Sequence, residues 1–137
     1  MALPSGRNLA PPPAMDQRQS FGRQGEDLAC RELEKRGYVI VDRRFRTRCG
    51  EIDIVARDAG VLVFVEVKAR SGSHFGTPFE SVTWKKRQRL SQMAASYLFL
   101  KRLAAEPCRF DVVSILERDG KRTIELVRGA FDMETLR

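Results

Sequence analysis

The stretch Val61 to Ala69, reading VLVFVEVKA, constrains this chain more than any other. Its β-branched residues favour an extended strand, and a period of two sets Leu62, Phe64, Glu66 and Lys68 on one face and the valines on the other. Both faces are otherwise apolar, which implies a central strand. Charges in such a place cost several kcal/mol unless they are paired or bound to a metal. A carboxylate and an ammonium side by side there need a reason.

The preceding segment, Glu51 to Arg57, also alternates, with Ile52, Ile54 and Ala56 on one side and Glu51, Asp53 and Val55 on the other. Asp58-Ala59-Gly60 between the two segments reads as a hairpin turn. A two-residue turn at Ala59-Gly60 pairs Asp58 with Val61 and carries Asp53 opposite Glu66, with cross-strand Cβ atoms about 4.5 to 5.5 Å apart. A three-residue loop without a bulge would turn Asp53 to the opposite face. With the first register, two carboxylates converge, and such oxygen ligands suit Mg²⁺ or Mn²⁺ together with water and phosphate oxygens. Lys68 would then orient or deprotonate the attacking water, or stabilise charge on the phosphate; the residues do not separate these roles. The plainer alternative is a structural Glu66–Lys68 ion pair with Asp53 at a strand end.

The remainder of the chain fits one α/β domain. A helix is expected from Phe21 to Arg36, where Phe21, Gly25, Leu28, Ala29 and Leu33 share an arc and Gly37 provides a stop. Glu26 lies at the edge of that buried arc, either aimed at the hairpin or merely favourable to the helix dipole. A short β-prone stretch, Tyr38 to Val41, leads to the arginine-rich segment Arg43 to Arg48. After the hairpin, Ser71 to Pro78 reads as a loop, and a second helix runs from about Thr83 to Arg102 with Leu90, Ala94, Tyr97 and Leu98 inward. Pro107 follows it, and Arg109 to Leu116 and Thr123 to Val127 read as strands around a turn at Asp119-Gly120. The expected order is helix, three strands, helix, two strands, in a mixed sheet of a two- or three-layer domain spanning residues 20–137. Residues 1–19, with Pro11-Pro12-Pro13 and few large apolar side chains, read as a flexible tail.

Charge points to the partner. Lysine and arginine number 25 against 18 acidic residues, a formal charge of +7 that suits phosphate-rich partners. Lys85, Lys86, Arg87 and Arg89 crowd the start of the second helix, where the macrodipole opposes positive charge by roughly 0.3 to 1 kcal/mol each. A phosphate backbone would compensate, and Arg43, Arg44, Arg46 and Arg48 could flank the same nucleic acid. The only histidine, His74, falls in the loop, which argues against histidine metal or acid-base chemistry. Phe75 or Trp84 could stack on a base, though a core anchor is the expectation for Trp84. The face of Asp111 is left open. Cys30, Cys49 and Cys108 form no C-x-x-C pair; they suggest a reducing cytoplasm, with Cys49 a packed thiol. No apolar run reaches the roughly 20 residues of a membrane span, and no secretory signal core is visible.

Gly25-Glu26, Gly50-Glu51-Ile52-Asp53, Phe64-Val65-Glu66-Val67-Lys68, Arg109-Phe110-Asp111-Val112-Val113 and Ala130-Phe131 together resemble the bacterial YraN family of uncharacterised proteins. The resemblance runs from about Phe21 to the C-terminus. That family is similar in turn to the restriction-endonuclease-like superfamily and to archaeal Holliday-junction resolvases. The resemblance implies a restriction-endonuclease-like fold with catalytic residues Asp53, Glu66, Lys68 and Glu26. It also implies a metal held by Asp53, Glu66 and the backbone carbonyl of Val67. Ile52 stands where many superfamily members have proline. The function expected is Mg²⁺- or Mn²⁺-dependent hydrolysis of nucleic-acid phosphodiester bonds, DNA before RNA, with room for a homodimer. The alternative is a nucleic-acid-binding module that keeps the fold without the chemistry.

Overall fold

The computed structural model describes residues 14–71 and 83–132, with side chains from Arg23 onward. The chain forms α1 (Ala14–Lys35), β1 (Val39–Thr47), β2 (Gly50–Asp58), β3 (Val61–Ser71), α2 (Trp84–Leu100), β4 (Cys108–Arg118) and β5 (Lys121–Phe131). This is the expected order of elements. The five strands lie in sequence order, with β3 central; only β3 and β4 are parallel, joined by the crossover that contains α2. The result is a mixed sheet flanked by helices, an α/β fold consistent with the restriction-endonuclease-like fold.

Each helix covers one face. Ala29, Cys30 and Leu33 of α1 pack with Ile54, Ala56, Val63, Val65, Val113 and Ile115. On the other face, Leu90, Met93, Ala94, Tyr97 and Leu98 of α2 pack with Ile52, Val55, Leu62, Phe64 and Phe110. Val63 and Val65 therefore turn to α1 while Leu62 and Phe64 turn to α2, as the period of two requires. Tyr97 anchors the second layer by edge-on ring contacts to Phe45 and Phe64 and by donating to Asp42 Oδ2 at 2.7 Å.

Four expectations change. The helix begins at Ala14 rather than Phe21, so the anticipated tail ends earlier, and residues 1–13 lie outside the described residues. The arginine-rich segment belongs to β1 instead of leading to it. Trp84 is not the expected core anchor: it is 63% exposed at the first position of α2. The expected loop begins after Ser71, which continues β3, and its residues 72–82, with His74 and Phe75, lie outside the described residues. Among the described residues no helix is long and apolar enough to cross a membrane.

Candidate active site at the fork of two strands

The hairpin adopts the register read from its turn. Asp58 pairs with Val61 and the ladder continues to Ile54 opposite Val65. Ala59 and Gly60 both have positive φ, 51° and 88°, the backbone that a tight two-residue turn of the primed kind requires. Asp53 and Glu66 stand at the next position, where the pairing stops and the two strands separate.

The separation has a local cause. In β1 and β2, Arg43 pairs with Ile54 and Phe45 with Ile52. Ile54 packs on the α1 face and Ile52 on the α2 face, although two residues apart in a regular strand they would share one. The expectation that Ile52 sides with Ile54 and Ala56 is thus corrected. The half-turn falls at Arg44, whose φ of 53° is rare for a non-glycine residue, and at Asp53 across from it. Strain of this kind tends to collect at functional sites. Freed from either face, the Asp53 side chain enters the fork, and its Oδ2 accepts a hydrogen bond from the Val67 backbone N–H at 2.8 Å.

Carboxylates from both sides crowd this point. One oxygen each from Glu26 on α1, Glu51 and Asp53 lie within 4.8 Å of one another. Burial, then the negative charge of Glu66, pushes the Asp53 carboxyl up to about 7, and Glu26 adds to the effect; the Val67 hydrogen bond and Lys86 oppose it. Glu26 turns inward, as one of its two readings held, and Arg44 Nε donates to it at 2.5 Å. Gly25 makes this approach possible. A Cβ there would lie 3.1 Å from the Ala69 Cβ, so α1 sits hard against β3 with Glu26 beside the fork. Gly25→Val should cost about 1–3 kcal/mol through overpacking and move Glu26 with the helix; chemical denaturation and Mn²⁺ titration would read the two effects separately.

Glu66 is held from the α2 side. Its Oε2 lies 2.7 Å from Lys86 Nζ and 3.5 Å from Lys68 Nζ, and its side chain is only 12% exposed. Burial, aided by the neighbouring Lys86, holds the Lys68 ammonium below the usual lysine range, while Glu66 works against the shift. For Lys86 burial acts in the same direction and is the largest single cause, but the bonds to Glu66 and Lys68 and the negative charges of Glu66 and Asp53 together outweigh it and the net shift is upward.

The basic residues divide. Arg43 and Arg44 are paired with Asp27 and Glu26 of α1. Arg46 lies 3.4 Å from Glu51 yet stays largely exposed, and Arg48, Lys85 and Arg89 are exposed. The turn between β1 and β2 rests on α2: Cys49 Sγ donates to Gln92 Oε1 at 3.2 Å, and a Cβ at Gly50 would meet Met93 and Arg89. Arg48 and Arg89 therefore share one rim beside the fork. Arg87 lies over the Phe131 ring. Cys49 is exposed rather than packed. Glu51 and the inward role of Lys86 were not singled out from the sequence; the only signal for Lys86 was its unfavourable place in a helix's first turn.

The model of the Uncharacterised protein family UPF0102 matches residues 25–115, a span that holds Glu26, Glu51, Asp53, Glu66, Lys68 and Lys86. A UPF0102 protein of Desulfosudis oleivorans is 48% identical over 118 residues, covering 86% of this chain and 94% of that one. Another, from Geotalea uraniireducens, is 47% identical over 116 residues, with 84% and 91% covered. A third, from Symbiobacterium thermophilum, is 49% identical over 113 residues, covering 80% and 94%. The chain belongs to the Uncharacterised protein family UPF0102, the family its spaced motifs resemble under the name YraN.

Proposed function

We propose that the chain is a divalent-metal-dependent endonuclease that hydrolyses phosphodiester bonds, DNA in preference to RNA. The observation that carries this reading is the fork: Asp53 lies between separating central strands, with Glu26 and Glu51 against it, Glu66 acting on it electrostatically and Lys68 beside Glu66. The donor set fits Mg²⁺ or Mn²⁺, because hard carboxylate oxygens gather where burial, and then their mutual repulsion, raises Asp53, and a cation would relieve the repulsion. Asp53 and Glu66 would hold the ion, with Glu26, Glu51 and the Val67 carbonyl as the other oxygens at hand. A bound ion of this kind polarises the phosphoryl oxygen and lowers the pKa of attacking water. Lys68, partly desolvated, orients that water or stabilises charge on the phosphate. The exposed Arg48, Lys85 and Arg89, with Arg46, offer phosphate contacts around the fork. All three cysteines are free, which suits a reducing cytoplasm.

One observation favours a second reading, a binding module without chemistry: Glu66 is already neutralised by two lysines. The test is cleavage of labelled single-stranded, duplex, flap and four-way-junction DNA with Mg²⁺ or Mn²⁺. Glu66→Ala and Lys68→Ala should each lose at least about 100-fold in rate. Salt-sensitive binding without cutting of any substrate would instead support the module.

A further inference from the structure

Lys86 occupies a place that helix electrostatics disfavours. It lies in the first turn of α2, where no acidic residue balances the dipole, and its own backbone N–H donates to the Thr83 cap oxygen at 3.3 Å. Its ammonium crosses to another element to reach Glu66, at 2.7 Å, the same oxygen that Lys68 approaches at 3.5 Å. Two ammonium groups thus share one carboxylate oxygen, and they repel each other. Lys68 is fixed on the same strand as Glu66. Lys86 reaches Glu66 on a flexible four-carbon stem, beside the exposed Lys85 and one turn from Arg89. Of that basic group it is the cation placed on the fork's own carboxylate.

We propose that Lys86 couples metal binding to nucleic-acid binding: it holds Glu66 in the free protein, and releases it to the divalent ion when a substrate phosphate takes up the ammonium. This rests on the nuclease reading of the site. In the free protein, the ammonium and the metal compete for one carboxylate. Phosphate draws Lys86 away and so raises metal affinity, and by linkage the metal raises affinity for nucleic acid by the same factor. Lys86 is thereby a positioning residue for Glu66 and a phosphate contact in turn.

The test is Mn²⁺ titration of the full chain without nucleic acid, read from the electron paramagnetic resonance of free Mn²⁺, for wild type, Lys86→Met, Lys86→Arg and Lys85→Met. Lys86→Met should bind Mn²⁺ about tenfold more tightly yet cleave more slowly at saturating metal. Lys86→Arg, which keeps the charge, and Lys85→Met, which removes a charge from an exposed neighbour, should bind Mn²⁺ as wild type does. Circular dichroism and thermal melting confirm that each variant is folded, and Lys86→Gln, which also removes the charge, takes the place of Lys86→Met should that variant unfold. Equal Mn²⁺ affinity in wild type and Lys86→Met would overturn the coupling while leaving the nuclease reading intact. An equal gain in Lys85→Met would reduce the effect to general charge and overturn it too. Tighter binding with undiminished cleavage would overturn the transfer to phosphate. No Mn²⁺ bound by any variant would bring down the nuclease reading itself.

Discussion

Replacing Asp53 with asparagine should abolish cleavage, by about 10³-fold or more, and at the same time make the metal-free protein harder to unfold at pH 8. The two effects come from one geometry. Asparagine keeps an oxygen to accept the Val67 N–H, which Asp53 engages at 2.8 Å, so the fork need not open. It removes the charge that burial and Glu66 make costly. The folded pKa of Asp53, about 7, lies above the unfolded value of 3.8. Below about pH 3 the carboxyl is largely protonated in both states, and wild type and variant should match. As pH rises toward 7, the unfolded chain ionises freely while the folded chain resists, so wild type loses stability that Asp53→Asn retains. Above about pH 8 the gap is constant, on the order of 2–4 kcal/mol. Thermal melts from about pH 3 to pH 8 in chelator would show it; a gap independent of pH would mean that Asp53 is not buried among negative charge. Saturating Mn²⁺ should close most of the gap, stabilising wild type by about 2.7 kcal/mol at a hundredfold excess over Kd and leaving the variant unmoved.

What could be read from the sequence here was whatever depends on neighbours along the chain. The turn at Ala59-Gly60 fixed the parity of the hairpin, and the observed pairing from Asp58–Val61 to Ile54–Val65 follows it. The apolar residues on both sides of β3 marked it as central, and the inward side chains of α2 followed from helical spacing. The periodicity argument fails where a strand rotates. Nothing in the residue type of Arg44 announces a φ of 53°, and it is across from this residue that Ile52 and Ile54 fall on opposite faces. It also explains why four arginines close in sequence are not one surface: Arg43 and Arg44 turn to acids of α1, while Arg46 and Arg48 remain outward. The start of α1 was missed because Ala14-Met15-Asp16-Gln17-Arg18-Gln19 lacks an apolar stripe, yet alanine, methionine, glutamine and arginine all sustain a helix once it has begun. Glu51 and Lys86 join the site through contacts between elements far apart in sequence, which local patterns do not contain.

Asp111→Ala should cost about 3–5 kcal/mol, since it removes a buried acceptor and leaves a cation poorly paired. Asp111 is 1% exposed. It accepts from Tyr38 Oη at 2.6 Å, from Arg109 Nε at 2.9 Å and Nη2 at 3.0 Å, and from the Gly129 backbone N–H at 2.9 Å. Arg109 also reaches Asp58 Oδ2 at 2.7 Å. One carboxylate thereby ties the entry to edge strand β1, the end of β2 next to the hairpin turn, and the opposite edge strand β5, where Gly129 has a φ of 60°. Tyr38, pushed up to about 12 first by burial and then by Asp111, remains a hydrogen-bond donor across the physiological range. Arg109 meets Asp58 next to the hairpin turn, and although Asp111 stands beside Val65, one residue from Glu66, its side-chain bonds run to Tyr38, Arg109 and Gly129 and not to the carboxylates or lysines of the fork. The loss should therefore fall on stability alone: a lower midpoint in chemical denaturation, with Mn²⁺ affinity and cleavage retained by the folded fraction. Asp111→Asn, which keeps the shape and an acceptor oxygen, should lose less. A penalty below about 1 kcal/mol for the alanine variant would show that water replaces the carboxylate and that the network does not pin the sheet's two edges. Loss of Mn²⁺ affinity in folded Asp111→Ala would instead join this end of the sheet to the fork, making the two charged clusters a single cooperative unit.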